Sequence, residues 1–247
     1  MINLSPNYIS KIRESKSPFP YAEQIRNEIL SALLLDFCHI INGNFTLGLE
    51  NNNLPDLVSD DRKFGYEITQ CELNEDLDLK YVLSALKKCN YKKLDAEHFL
   101  EANHSTHPTT PSDYLFLSNK DGKVLAYGPN SKPHSPYYYL DIFKLICKKK
   151  LDKLANGNYS NAKKIALVVN IFDRLKERDD AIQIFKLFNE MQEKKEYTFF
   201  NLYLITSEKI YFMSKKSSLD SVDITNDLWR KCIEKTSEIL SNFCTKK

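Results

Sequence analysis

The chain is predicted to be one α/β domain, because segments of strand and helix period interleave along its length with no linker between them. Three observations carry that expectation. Helical spacing of apolar residues recurs over Tyr21 to Ile41, Tyr139 to Ala155 and Asp180 to Glu193. The continuous apolar run Lys164 to Phe172, KIALVVNIF, has the character of a central strand covered on both faces. Leu54 to Gln70, LPDLVSDDRKFGYEITQ, reads as two short strands joined by a polar turn.

Size and composition agree with a packed core. The 247 residues are 42% hydrophobic and 28% charged, which excludes a disordered chain. A net charge of +2 argues neither for nor against a polyanionic partner, so local patches matter more than the total. Cys38, Cys71, Cys89, Cys147, Cys232 and Cys244 show no close pairing and read as reduced core residues. The opening MINLSPNYISKIRESKSP lacks an apolar leader, and no run is long enough to span a bilayer, so a soluble, cytoplasmic protein with no membrane partner is expected.

In chain order, residues 1–20 are polar and carry Pro6, Pro18 and Pro20, and are expected to be a lead-in segment. Ile25, Ile29, Leu33, Leu34 and Phe37 then give the first helix one apolar face, with Glu23 and Glu28 on it and Gly43-Asn44 stopping it. Phe45 to Leu49 is a short strand before the central hairpin. Leu77, Tyr81, Val82, Leu86 and Leu94 suggest one helix whose solvent side carries Lys80, Lys87, Lys88, Lys92 and Lys93. His98, His104 and His107 follow in a loop-like region and fit no compact ligand pattern. Tyr114 to Ser118 and Lys123 to Tyr127 form a hairpin around Asn119-Lys120-Asp121-Gly122, followed by a loop from Gly128 to Pro136. In the helix Tyr139 to Ala155, Leu140, Phe143, Ile146, Leu151 and Leu154 are expected inside, and Lys144, Lys148, Lys149, Lys150 and Lys153 outside. After the apolar strand and the helix through Ile182, Ile184, Phe185, Leu187 and Phe188, Phe199 to Thr206 pairs with Ile210 to Met213. Val222 to Phe243 is a closing helix. No repeat and no glycine-rich phosphate loop is present.

The central hairpin carries the chemistry. Side chains alternate along a strand, which puts Glu67 and Thr69 on one face and Tyr66 and Ile68 on the other. The hairpin would bring Asp56 near Glu67, and two converging carboxylates are how a hard cation such as Mg²⁺ is held. Taken alone, an Asp after Pro is commonly a turn residue and a strand Glu is commonly solvated.

The order helix with Glu, then Pro55-Asp56, then Glu67-Ile68-Thr69 resembles the PD-(D/E)xK nuclease superfamily, in the variant with Glu-x-Thr in place of Glu-x-Lys. The lysine-rich stretch Ile146 to Leu154 and the strand at Ile165 add to the likeness, which covers roughly residues 21–210. The resemblance implies a central mixed β-sheet flanked by helices, a restriction-endonuclease-like core, with a metal site at one end. It implies Mg²⁺, or Mn²⁺, held by Asp56, Glu67 and the carbonyl of Ile68, with Glu28 as the helix acid and Glu23 in reserve. Thr69 stands where the family has lysine and cannot supply its charge, so Lys80 or Lys149 would have to do so. Lys87, Lys88, Lys148 and Lys149 are the residues placed against nucleic acid, with double-stranded DNA as the implied substrate and a role in restriction or anti-phage defence. A homodimer is among the assemblies implied, since cutting two strands favours two sites. Two alternatives stay open: a catalytically degenerate member that only binds nucleic acid or protein, and an unrelated α/β protein whose hairpin acids are surface residues.

Overall fold

Phe64–Gln70 (β4) and Lys164–Asn170 (β7) run parallel, in register from Phe64 opposite Lys164 to Gln70 opposite Asn170, at the centre of a mixed eight-stranded sheet. β7 is buried from Ile165 to Asn170, as its unbroken apolar run predicts. A computed structural model describes residues 1–14, 21–48, 55–71, 82–103, 114–129, 138–157, 162–171, 178–213 and 218–244. The chain gathers into two compact units, one of Met1–Cys71 with Phe143–Lys247 and one of Glu72–Ile142.

The larger unit holds the sheet, flanked by helices. Its remaining strands are β1 (Ile2–Leu4), β2 (Phe45–Leu47), β3 (Leu57–Ser59), β8 (Asn201–Ile205), β9 (Lys209–Met213) and β10 (Leu219–Asp223). Their order across the sheet is β1-β2-β3-β4-β7-β8-β9-β10. The pairs β1–β2, β4–β7 and β7–β8 are parallel and the others antiparallel. Helix α1 (Pro6–Glu14) and helix α2 (Tyr21–Phe37) precede the central hairpin.

One side of the sheet is covered by α1, α2 and the C-terminal helix Asn226–Cys244, which pack on Tyr66, Ile68, Ala166, Val168, Tyr203 and Ile205. Side-chain alternation sends Glu67, Leu167 and Leu202 to the opposite side. Tyr138–Ala155 and Arg178–Gln192 are the helices that precede and follow β7, the kind of crossover that parallel neighbours require.

The smaller unit has its own core. A helix described over 82–88 (α3), the helix Lys93–Ala102 (α4) and the hairpin of Tyr114–Ser118 (β5) with Val124–Pro129 (β6) enclose Val82, Ala85, Leu86, Ala96, Leu100, Tyr114 and Val124. The turn follows from Asn119, whose side-chain oxygen accepts from the backbone N–H groups of Asp121 and Lys123. The later helices are accordingly α5 (Tyr138–Ala155), α6 (Arg178–Gln192) and α7 (Asn226–Cys244).

Several boundaries differ from expectation; α2, for one, ends at Phe37 and not Ile41, since His39 takes a positive φ. The N-terminal stretch is no mere lead-in: β1 pairs with β2, and Tyr8 and Ile12 of α1 are core residues. Nine residues offer too short an apolar stripe for the helical period to stand out. The helix expected to run on to Leu94 stops at residue 88, because Asn90 and Tyr91 take positive φ; Lys93 opens α4, so His98 lies on a helix. β6 extends through Pro129. Val222 belongs to β10, an edge strand whose half-exposed side chains carry little strand signal, and α7 starts at Asn226.

Candidate functional site

The turn between β3 and β4 builds itself from its polar residues. Ser59 Oγ donates to Asp61 Oδ1 at 2.7 Å and accepts from the Phe64 N–H, while the Lys63 N–H donates to the same Asp61 oxygen. The resulting register sets Leu57 opposite Tyr66, which carries Asp56 level with Glu67. Asp56 is then fixed at both ends. Its carbonyl accepts from the Gly48 N–H at 2.7 Å, and its Oδ2 accepts from the Ile68 N–H at 2.7 Å.

Two glycines make room for this. A Cβ on Gly65 would lie 2.5 Å from Pro55 Cγ, so only glycine lets the Pro55-Asp56 pair close down on β4. Gly48, at φ +68°, lies against the Tyr8 ring, where a Cβ would come within 2.2 Å of it.

Glu67 is 1% exposed. Its Oε1 accepts from Lys150 Nζ at 2.6 Å and from Lys153 Nζ at 3.0 Å, both from α5. Its Oε2 is buried and has no hydrogen-bond partner among the described residues. Glu28, 6% exposed on α2, is held by neutral donors: Tyr8 Oη at 2.6 Å and Gln24 Nε2 at 2.8 Å. Beside it the Asn27 amide donates to Gln70 Oε1, and the buried Asn170 amide donates to Ser31 Oγ at 2.7 Å. Polar links thus tie α2 to the C-terminal ends of β4 and β7.

These charges feel one another. Burial raises the Asp56 carboxyl well above its ordinary range, and the nearby Glu67 and Glu28 push it further. Glu28 is raised chiefly by burial, with Glu67 adding to the effect against the hydrogen bonds from Tyr8 and Gln24. Burial alone would lower the Lys150 ammonium, yet Glu67, Asp56 and Glu28 hold it above the usual lysine value. Three acids therefore share one electrostatic neighbourhood with the half-buried Lys150. That surplus of negative charge and the orphaned Glu67 oxygen fit a cation. Among the described residues, however, no group of three His, Cys, Asp or Glu side chains is close enough to form a ready ligand set.

The other expected residues distribute as follows. Ile68 is core on the face away from Glu67, with its N–H on Asp56, while Thr69 is half-buried. Lys87, Lys88, Lys148 and Lys149 are exposed, and Lys88 Nζ lies 5.0 Å from the centre of the Phe99 ring. Lys80, His104 and His107, and the side chain of Glu23, lie outside the described residues.

Lys150 and Lys153 correct the expectation that they face solvent. Counting charges assigns every lysine of α5 to the surface. The spacing tells a different story: Lys150 lies seven residues after Phe143, three after Cys147 and four before Leu154, all buried, so it shares their face. Lys149, one position earlier, projects outward. Tyr8 and the two glycines had no comparable sequence signal, because their roles depend on segments distant in the chain. Cys38, Cys71, Cys147 and Cys232 are buried cysteines and Cys89 a partly exposed one, in keeping with the core positions expected of them.

No family model, curated protein or solved structure matches this chain. Among the described residues, no helix is long and apolar enough to cross a membrane.

Proposed function

We propose that the protein is a metal-dependent endonuclease that hydrolyses phosphodiester bonds in DNA, built on a restriction-endonuclease-like core. The observation that carries this reading is the electrostatic convergence of Glu28, Asp56 and Glu67 with Lys150. Support also comes from the chain order, in which a helix acid, a Pro-Asp, a Glu-x-Thr, a lysine-bearing helix and an apolar strand follow one another through α2, β3, β4, α5 and β7.

Asp56 and Glu67 would hold Mg²⁺ or Mn²⁺, with Ile68 offering its carbonyl. When bound, such an ion would supply Lewis acidity toward the scissile phosphate. Lys150, which reaches Glu67 from α5, would supply the charge missing at Thr69 and stabilise the negative charge that builds on the phosphoryl oxygens. Lys153 is its neighbour one turn on. Tyr8 and Gln24 orient Glu28, whose carboxyl burial raises above the ordinary glutamate value, in the direction a proton carrier needs. Double-stranded DNA, a homodimer and a role in restriction or anti-phage defence belong to this reading through the resemblance alone.

A second reading has its own observation. Glu67 already has two ammonium groups on one oxygen, an arrangement that can neutralise the site without a metal. In that case the chain is a degenerate nuclease fold that binds nucleic acid or protein without cutting. Plasmid cleavage in Mg²⁺ and in Mn²⁺, by the wild type and by Asp56→Ala and Glu67→Ala, separates the two. Metal-dependent cutting lost in both variants supports the nuclease. Undiminished cutting in both removes these acids from the mechanism, and no cutting by the wild type favours the degenerate module.

A further inference from the structure

A second feature lies on the Glu67 side of the sheet, toward the starts of its parallel strands. Leu154, Gly157, Ala162, Ile165 and Phe200 line a cavity of about 440 Å³ whose rim carries Lys163, Lys164, Glu196 and Tyr197. β4 sets Glu67 opposite Leu167, so Ile165 is two residues, about 7 Å, along the sheet from Glu67.

The patch breaks the usual rule for aromatic side chains. Phe64 is 37% exposed, Phe200 42% and Tyr197 50%, although the core has room for many other rings. Phe64 and Phe200 contact each other with ring centres 5.9 Å apart. Backbone bonds hold the surroundings: the Lys164 N–H donates to the Lys63 carbonyl at 3.0 Å, and the Phe200 N–H donates to the Ile165 carbonyl at 2.8 Å. The aromatic platform is therefore mounted on the starts of three paired strands.

We propose that this cavity binds one unpaired base of a single-stranded nucleic acid. Exposed flat rings offer stacking to any base, and such a volume is within the range of small-ligand pockets. Lys163 and Lys164 supply positive charge for the phosphates on either side of the base. The Glu196 carboxylate, otherwise out of place beside a polyanion, is an acceptor for a base amino group. A mixed apolar and cationic rim of this kind suits a nucleotide better than an uncharged peptide. The site does not depend on Asp56 or Glu67 ligating a metal, so it stands or falls apart from the nuclease reading.

The test is fluorescence anisotropy with a labelled single-stranded DNA 12-mer of mixed sequence and the matching blunt duplex, in EDTA so that no cleavage intervenes. The single strand is expected to bind the tighter of the two. Tyr197→Ala and Phe200→Ala should each weaken it about 10-fold, Tyr197→Phe should retain it, and Lys163→Ala with Lys164→Ala should flatten its salt dependence. Tyr197 is half exposed, so its substitution tests the site even if Phe200→Ala disturbs folding. Equal affinity in wild type and Tyr197→Ala overturns the proposal. So does a patch whose substitution changes only self-association in sedimentation, which would assign it to a second copy of the chain.

Discussion

Helices α3 and α5 both carry lysine stripes, and the two stripes do opposite things. Lys87 and Lys88 of α3 are exposed, and Lys88 Nζ lies over the Phe99 ring. On α5, Lys148 and Lys149 are likewise exposed, but Lys150 and Lys153 are 23% and 33% exposed and both reach Glu67. The difference lies in angular position relative to each helix's apolar face. A lysine out of phase with that face is solvated, and its ion pairs are worth little. One in phase must bring a carboxylate with it, because a buried ammonium without a partner is too costly. Lysine count therefore says little about function, and lysine phase says much.

The sharpest way to break the comparison is to remove the shared acid. Glu67→Gln leaves two half-buried ammonium groups facing a neutral amide, and should cost about 3 kcal/mol of stability in urea unfolding and abolish cleavage. Loss of activity with unchanged stability would mean the lysines can turn outward freely. Next comes Lys150→Met, which keeps the volume and removes the charge. Cleavage should fall about 100-fold, whereas Lys149→Met on the exposed side should leave the rate within about twofold, as single-turnover assays would show. Equal effects at the two positions would erase the distinction.

Asp56→Asn has a smaller effect of opposite sign. It removes a charge that burial and two acids disfavour, and its amide oxygen still accepts from Ile68. Stability at neutral pH should rise by about 1 kcal/mol while cutting is lost. The pH dependence follows from the raised carboxyl. The folded state takes up a proton between the ordinary aspartate value and the higher folded value, so this stabilisation is complete below that window and lost as pH rises through it. The advantage of the variant in thermal melts should therefore be largest at neutral pH and vanish toward pH 4. A constant advantage across that range would show that Asp56 does not titrate. The mildest change is Lys87→Ala with Lys88→Ala, which should alter stability by less than about 0.5 kcal/mol and lower the salt slope of any DNA binding by about one unit per lysine.

Residue patterns alone anticipated much of the frame. The apolar run of β7, the pairing of β8 with β9, the polar turn between β3 and β4 and the amphipathic α5 and α6 have strong local patterns and form where those put them, whereas α2 is buried on every side from Glu28 to Leu35 and not along one face. Asp56 beside Glu67 was also legible, since hairpin register follows from a short turn. Elements with weak period were not: α1 is short, β10 is a half-exposed edge, and the break before α4 turns on two residues with positive φ.

What the sequence by itself determined is therefore the local periods: which stretches are strand or helix, and that two acids meet across one hairpin. Only the tertiary structure decided that Gly65 admits Pro55, that Tyr8 of the first helix holds Glu28, and that Lys150 rather than Lys149 reaches Glu67. The physical reason is range. Periodicity and turn chemistry act over a few neighbouring residues, whereas the partner of Glu67 is 83 residues away in the chain and is selected by how α5 turns its apolar face toward the sheet.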